Sequence, residues 1–189
     1  MMMNKKSLRQ EIFARREALS ADYHSQANQQ IIAKILESQL FKDSQTIFVY
    51  HGMGRELDTQ SLIANALAQN KTVALPRVHR KGVMKAHHYQ IGHQLEVSSF
   101  GIPEPMLDSP IIDPKDIDLV ILPCVTTNDR GERLGYGGGF YDRFLQQTDA
   151  KVMLPYFEKL LTNIIPLEPH DQYPDIVLTE NNIHIIKED

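Results

Sequence analysis

In DLVILP (118–123), an unbroken apolar run follows Asp118 and is closed by proline. A strand with no polar face must be covered on both sides, which points to a parallel sheet between helical layers. Similar runs recur at QTIFVYH (45–51), KTVALP (71–76), KVMLP (151–155) and DIVLTE (175–180), with MKAHHY (84–89) as a more polar one. Helical patterns separate them. Residues 4–19 place Leu8, Ile12, Arg15 or Arg16, and Leu19 at helical spacing. Ser20 is the expected N-cap of a second helix burying Tyr23, Ala27, Ile31 and Ile35. TQSLIANALAQ (59–69) reads as a helix capped by Asp58 or Thr59, and FYDRFLQQ (140–147) as another. The alternation predicts one α/β domain over residues 1–189, a three-layer sandwich around a mostly parallel sheet. Such sheets bind ligands at the carboxyl ends of their strands. The two informative loops, 51–58 and 123–139, both fall there.

Bulk properties exclude several classes of function. A single cysteine, Cys124, rules out an internal disulfide and suits a reducing compartment. The first residues, MMMNKKSLRQEIF, lack the apolar run of a signal peptide, and no later stretch is long enough to span a bilayer. The expectation is a cytoplasmic monomer with no membrane partner. Net charge is −4 with both signs interspersed, so no global field attracts nucleic acid. An anionic ligand must be held by a local cluster.

The second loop carries such a cluster. Five of the 10 glycines lie from Gly131 to Gly139, four of them within RLGYGGGFYDRFL (133–145). Glycine lets a ligand approach the backbone, and a glycine loop entering a helix presents N–H groups that suit phosphate. No Lys-Ser/Thr follows, so this is not a Walker A loop. Arg133 can hold phosphate oxygens, and Asp142 can hold a Mg²⁺ ion that bridges them. The plainer reading is a flexible turn with Phe140, Tyr141, Phe144 and Leu145 as the buried face of the next helix. Tyr136, inside the loop, is harder to bury.

Other residues also have two readings. Lys5 and Arg9, one helical turn apart, fit either phosphate contacts or a solvated face. Asp171 in PHDQYPD fits a turn. Glu56 is an acceptor-only, two-pronged partner for a donor-rich ring edge, or a solvated carboxylate near a helix start. His79, His87, His88 and His93 show no regular ligand spacing, which argues against zinc. Cys124 has no evident partner and reads as a buried thiol.

The stretch LPCVTTNDRGERLGYGGGFYDRFL resembles the signature of the 5-formyltetrahydrofolate cyclo-ligase family. The similarity extends along nearly the whole chain. KKSLRQEIFARREALS is similar to the family's basic N-terminal helix and GRELDTQSLI to its pterin-site loop, while VALPRV, FGIPEP and PHDQYPDIVLT follow in order. The resemblance implies ATP-driven, Mg²⁺-dependent ring closure of 5-formyltetrahydrofolate, with or without a polyglutamate tail, to 5,10-methenyltetrahydrofolate. It further implies that the N-terminal helix returns to the nucleotide site and that the sheet is mixed at an edge.

Carried over residue by residue, the resemblance assigns ATP contacts to Lys5, Lys6, Ser7, Leu8 and Arg9, and to Arg133, Leu134, Gly135, Tyr136, Gly137, Gly138, Gly139, Phe140 and Tyr141. Folate contacts fall to His51, Met53 and Glu56, with Tyr136, Gly137, Gly138, Gly139 and Phe140 shared. Asp142 and Asp171 would serve Mg²⁺, and Arg133 and Asp142 would be catalytic. The chain departs from many relatives at Gly138, where they carry lysine, and at Thr127-Asn128, where they often carry Phe-Asp. The lost lysine leaves Lys5, Lys6, Arg9 and Arg133 with more phosphate charge to balance. A formylfolate or nucleotide binder without catalysis, and a phosphotransferase acting on another acceptor, are the competing functions.

Overall fold

The computed structural model describes residues 4–188. Helix α1 (Lys5–Glu17) starts at Asn4, whose side chain accepts from the Ser7 N–H. Helix α2 (Ala21–Glu37) starts at Ser20, which accepts from the Tyr23 N–H. The short α3 (Gln39–Asp43) turns the chain into β1 (Thr46–Val49). Helix α4 (Thr59–Ala68) is capped by Asp58 through the Ser61 N–H. Each such cap contributes about 1 kcal/mol and fixes where its helix begins. The chain continues through β2 (Thr72–Arg80) and β3 (Val83–Tyr89), then a small hairpin of β4 (Leu95–Val97) and β5 (Pro103–Pro105). After β6 (Ile111–Ile112) and β7 (Leu119–Ile121), β8 (Thr126–Thr127) pairs with β9 (Arg133–Leu134). Helix α5 (Phe140–Leu145), β10 (Lys151–Pro155), β11 (Ile176–Leu178) and β12 (Ile183–Ile185) complete it.

The central sheet runs β12-β11-β10-β7-β1-β2-β3-β6. Its inner strands β2, β1, β7, β10 and β11 are parallel, with Phe48 opposite Ala74 and Val120. Both margins are antiparallel, β3 and β6 on one side and β12 on the other. The mixed edge therefore occurs twice. From β1 the chain steps through α4 to β2, while from β7 it steps through α5 to β10 in the opposite direction. Right-handed crossovers then place α4 and α5 on opposite faces, giving the three layers. Phe48 packs its ring 4.5 Å from Phe144 of α5, and the alternation of a strand turns Ile47 and Val49 to the other face.

The reversal of winding between β1 and β7 is a topological switch point. Loops leaving neighbouring strands toward opposite faces open a crevice there. The chain after β1 (residues 50–58) and after β7 (122–139) border it. Helix α1 is the third wall. Leu8 and Ile12 form a separate apolar cluster with Val125, Leu134 and Ile165, which docks the helix on the β8–β9 pair.

Some elements differ from expectation. The helix after the glycine loop ends at Leu145 rather than 147, because the chain turns at Thr148, whose hydroxyl accepts from the Ala150 N–H, to enter β10. Strand β2 runs on to Arg80, since β3 pairs with it beyond the end of β1.

Candidate active site

Three glycines shape the centre of the second loop. Gly137 has φ +103° and Gly139 φ +64°, both in the region that side chains disfavour. At Gly138 the constraint is space, because an added Cβ would lie 2.5 Å from Cε2 of Phe140. That ring position is available only because this chain has no side chain at 138. Phe140 also meets Phe100 of the β4–β5 hairpin edge-on at 6.2 Å.

The loop is braced at its root. Arg133 is buried and donates Nη2 to Asp142 Oδ1 at 2.5 Å, while its Nη1 reaches the Pro123 carbonyl at 3.5 Å. This puts Arg133 beneath the loop, paired with the first-turn carboxylate of α5. Thr127 and Asn128 serve the same frame. Thr127 Oγ1 donates to the Glu132 carbonyl at 2.8 Å, and Asn128 Oδ1 accepts from the N–H groups of Arg130 and Glu132, both at 3.1 Å. Thr127 and Asn128 thus build a side-chain-capped turn.

Helix α1 meets the loop from outside the sheet. Arg9 Nε donates to the Gly135 carbonyl at 2.8 Å, and its guanidinium lies against Gly137. Lys5 bridges Glu168 at 3.0 Å and Asp171 at 3.2 Å. Lys6 and Ser7 are exposed, and Leu8 is buried. Asp171 sits in a turn beside α5, since the Gln172 N–H donates to Asp142 Oδ1 at 3.1 Å. Glu168, His170 and Asp171 bring ligand atoms within 4.8 Å of one another, and among the described residues they are the one group of three or more potential metal ligands. Asp142 is outside that group. Asp142 and Asp171 nonetheless stand on adjoining turns as hard-oxygen donors, each with 14% of its side chain exposed, a donor set that suits Mg²⁺.

Across the crevice, Met53 and Glu56 close a tight turn. The Glu56 N–H donates to the Met53 carbonyl at 2.9 Å, and Glu56 Oε2 accepts from the Met53 N–H at 2.8 Å. Oε1 accepts from the Tyr136 hydroxyl. This bond joins the two loops and gives a partner to a tyrosine that is 49% exposed. Burial of its hydroxyl end, together with Glu56, pushes the Tyr136 pKa well above the usual range. His51 lies beside Gln60, and burial lowers its pKa, so it is neutral at pH 7. Arg16, on the apolar face of α1, is the site residue that sequence reasoning passed over. Its one signal was its place on that face.

The remaining candidates sort by burial. Burial pushes the Cys124 thiol up to about 12, with Arg133 and Arg16 opposing the shift, so it stays protonated and unreactive at neutral pH. His79 and His87 touch through their Nε2 atoms at 2.8 Å, away from any third potential ligand among the described residues. No described helix is long and apolar enough to cross a membrane.

Known proteins resemble this chain in sequence and in fold. A family model described as the 5-formyltetrahydrofolate cyclo-ligase family matches residues 1–180. A 5-formyltetrahydrofolate cyclo-ligase of Haemophilus influenzae is 32% identical over 154 residues, covering 80% of this chain and 82% of the relative. One of Escherichia coli strain K12 is 34% identical over 135 residues, covering 70% and 74%. The NMR structure of Aquifex aeolicus 5,10-methenyltetrahydrofolate synthetase superposes with a TM-score of 0.87 at 26% identity, over 99% of this chain and 95% of that one. Matched along nearly its whole length in sequence and fold, the chain belongs to the 5-formyltetrahydrofolate cyclo-ligase family.

Proposed function

We propose that the protein catalyses ATP- and Mg²⁺-dependent closure of 5-formyltetrahydrofolate to 5,10-methenyltetrahydrofolate, releasing ADP and phosphate. The observation that carries this reading is the meeting of an acceptor-only carboxylate with a glycine backbone loop across one switch-point crevice, through the Tyr136–Glu56 bond. The pterin edge presents several N–H donors, and Glu56 is the group on the crevice wall suited to accept them. The glycine loop and Arg9 provide N–H donors for phosphate oxygens.

The chemistry needs this pairing. A formamide carbon resists attack because its oxygen is a poor leaving group. Attack of the formyl oxygen on the γ-phosphorus breaks the bond to ADP and makes an imidate-like phosphate. N10 then bonds to the formyl carbon and loses its proton, and the C–O bond breaks as phosphate leaves. Phosphoryl transfer asks the protein for positioning and charge balance more than for a nucleophile. The Arg133–Asp142 pair holds the loop root, Arg9 holds its crest, and Glu56 fixes the ring carrying the formyl group. Asp142 and Asp171 would hold Mg²⁺, which when bound offsets phosphate charge. An anionic folate tail has a local partner at the tip of the β2–β3 hairpin. Arg80, Lys81 and Lys85 are exposed there with no ion-pair partner among the described residues, and Arg143 links the tip at Gly82 to the Gly138 carbonyl.

Substrate labelled with ¹⁸O in the formyl group tests the route. Label recovered in inorganic phosphate is expected, and label retained in water or folate rules out the phosphorylated intermediate.

A further inference from the structure

Arg16 carries a permanent charge on the last turn of α1 but is only 6% exposed. None of the steps above uses it. Its Nη2 donates to the carbonyls of Cys124 at 3.4 Å and Val125 at 3.3 Å. Its Nη1 donates to the Tyr136 hydroxyl at 3.2 Å and lies 3.8 Å from Glu56 Oε1, the oxygen that Tyr136 itself donates to. One guanidinium thus joins the chain after β7, the glycine loop and the loop after β1. The grip is mutual, because Arg55, next to Glu56, donates Nε to the Arg16 carbonyl at 3.1 Å and Nη2 to the Leu19 carbonyl. Burying an ion is costly unless it is well paired, so a fold that needed only a helix staple would be served by an apolar side chain. The planar fork matters as well, because a lysine ammonium cannot face both carbonyls and the Tyr136–Glu56 pair with fixed geometry.

We propose that Arg16 is a positioning residue of the folate subsite. It acts through Glu56, keeping the carboxylate aimed into the crevice while an incoming N–H edge takes the place of the Tyr136 hydroxyl on Oε1. The proposal rests on the reading of Glu56 as the pterin anchor. Its consequence is that α1 has two jobs, with Arg9 facing the phosphate loop and Arg16 facing the folate.

The test compares steady-state kinetics and thermal unfolding of the full chain with Arg16→Met, Arg16→Lys, Tyr136→Phe, Glu56→Gln and the double variant Arg16→Met/Glu56→Gln. A lost charge-assisted contact corresponds to a rise of about 10- to 100-fold in folate KM for Arg16→Met, with ATP KM changing less than about twofold. Arg16→Lys is expected to fall between it and the parent. The double variant is expected to be no worse than Glu56→Gln alone, because Arg16 acts through that carboxylate. An unchanged folate KM, an equal rise in both KM values, or additive losses in the double variant overturns the proposal. If Arg16→Met does not fold, Arg16→Lys carries the comparison, and a parent-like folate KM in it overturns the proposal. Tyr136→Phe, which lacks the hydroxyl that the folate displaces, is expected to keep folate KM at or below the parent's, and a raised value also overturns it. A parent without turnover refutes the proposed function itself, whereas an active parent indifferent to Arg16 refutes only this step.

Discussion

Gly137→Val separates a phosphate cradle from an ordinary turn. Position 137 holds φ at +103°, where a β-branched residue is strained. Such strain costs about 1–3 kcal/mol, relieved either by destabilising the fold or by moving the loop. The added Cβ has room, since the nearest contact is Arg9 Cζ at 3.5 Å, so backbone strain rather than collision sets the effect. For a domain of this size each kcal/mol lowers Tm by about 2–4 °C, giving a drop of about 2–12 °C. With stability of about 5–15 kcal/mol, the variant stays folded at 25 °C. A loop that is only a turn therefore leaves ATP KM unchanged. A loop whose N–H groups hold phosphate loses their alignment, and ATP KM is expected to rise at least about tenfold for each charge-assisted bond lost. The assay is ATP KM at saturating folate alongside a melting curve. A lowered Tm with parent-like ATP KM refutes the cradle.

Arg9→Ala removes the contact to Gly135 and is expected to raise ATP KM about tenfold while leaving the folate KM near the parent's. Parent-like ATP KM would leave Arg9 as a loop brace only. Asp142→Asn leaves buried Arg133 without its counter-charge, which costs about 3–5 kcal/mol where such pairs are broken, and should also shift the Mg²⁺ dependence of the rate to higher concentration. Superimposable Mg²⁺ titrations with a lowered Tm would make Asp142 a structural partner of Arg133. The third concerns pH. Burial first lowers the pKa values of His51, His79 and His87 below 6.5. His87 Nδ1 must donate to the Ser109 carbonyl at 2.8 Å, so its Nε2 accepts from His79. The unfolded chain binds more protons than the folded one below about pH 6.5, so this stability is present above that pH and is lost as pH falls. Tm is expected to drop on acidification from about pH 7.5 to 5.5, less steeply in His79→Gln, and a flat profile contradicts the assignment.

The parts legible in sequence were those set by local chemistry. Ser20 and Asp58 cap their helices because short polar side chains reach the next N–H groups without tertiary help. DLVILP and KVMLP carry enough continuous apolar length to be strands between layers. The pairs β8–β9 and β4–β5 were not legible, because two or three residues contain no period to read. Strand β2 was cut short because Arg77, His79 and Arg80 belong to a hairpin overhanging the sheet, where charge is tolerated. In the site, Tyr136 stood out because a tyrosine among glycines has no core to enter. Arg16 did not, because its meaning depends on Glu56 and Tyr136, which only the tertiary fold brings to it. Spacing left Arg15 and Arg16 equivalent. The structure separates them, with Arg16 buried and Arg15 reaching the Lys159 carbonyl at the surface.

The most direct test mixes the purified chain with ATP, Mg²⁺ and 5-formyltetrahydrofolate and follows the methenyl chromophore together with ADP. Chromophore and ADP appearing in equal amounts, with neither formed when ATP or the folate is omitted, is the expected result. Folate binding without turnover, or ADP formation only with a different acceptor, would contradict it.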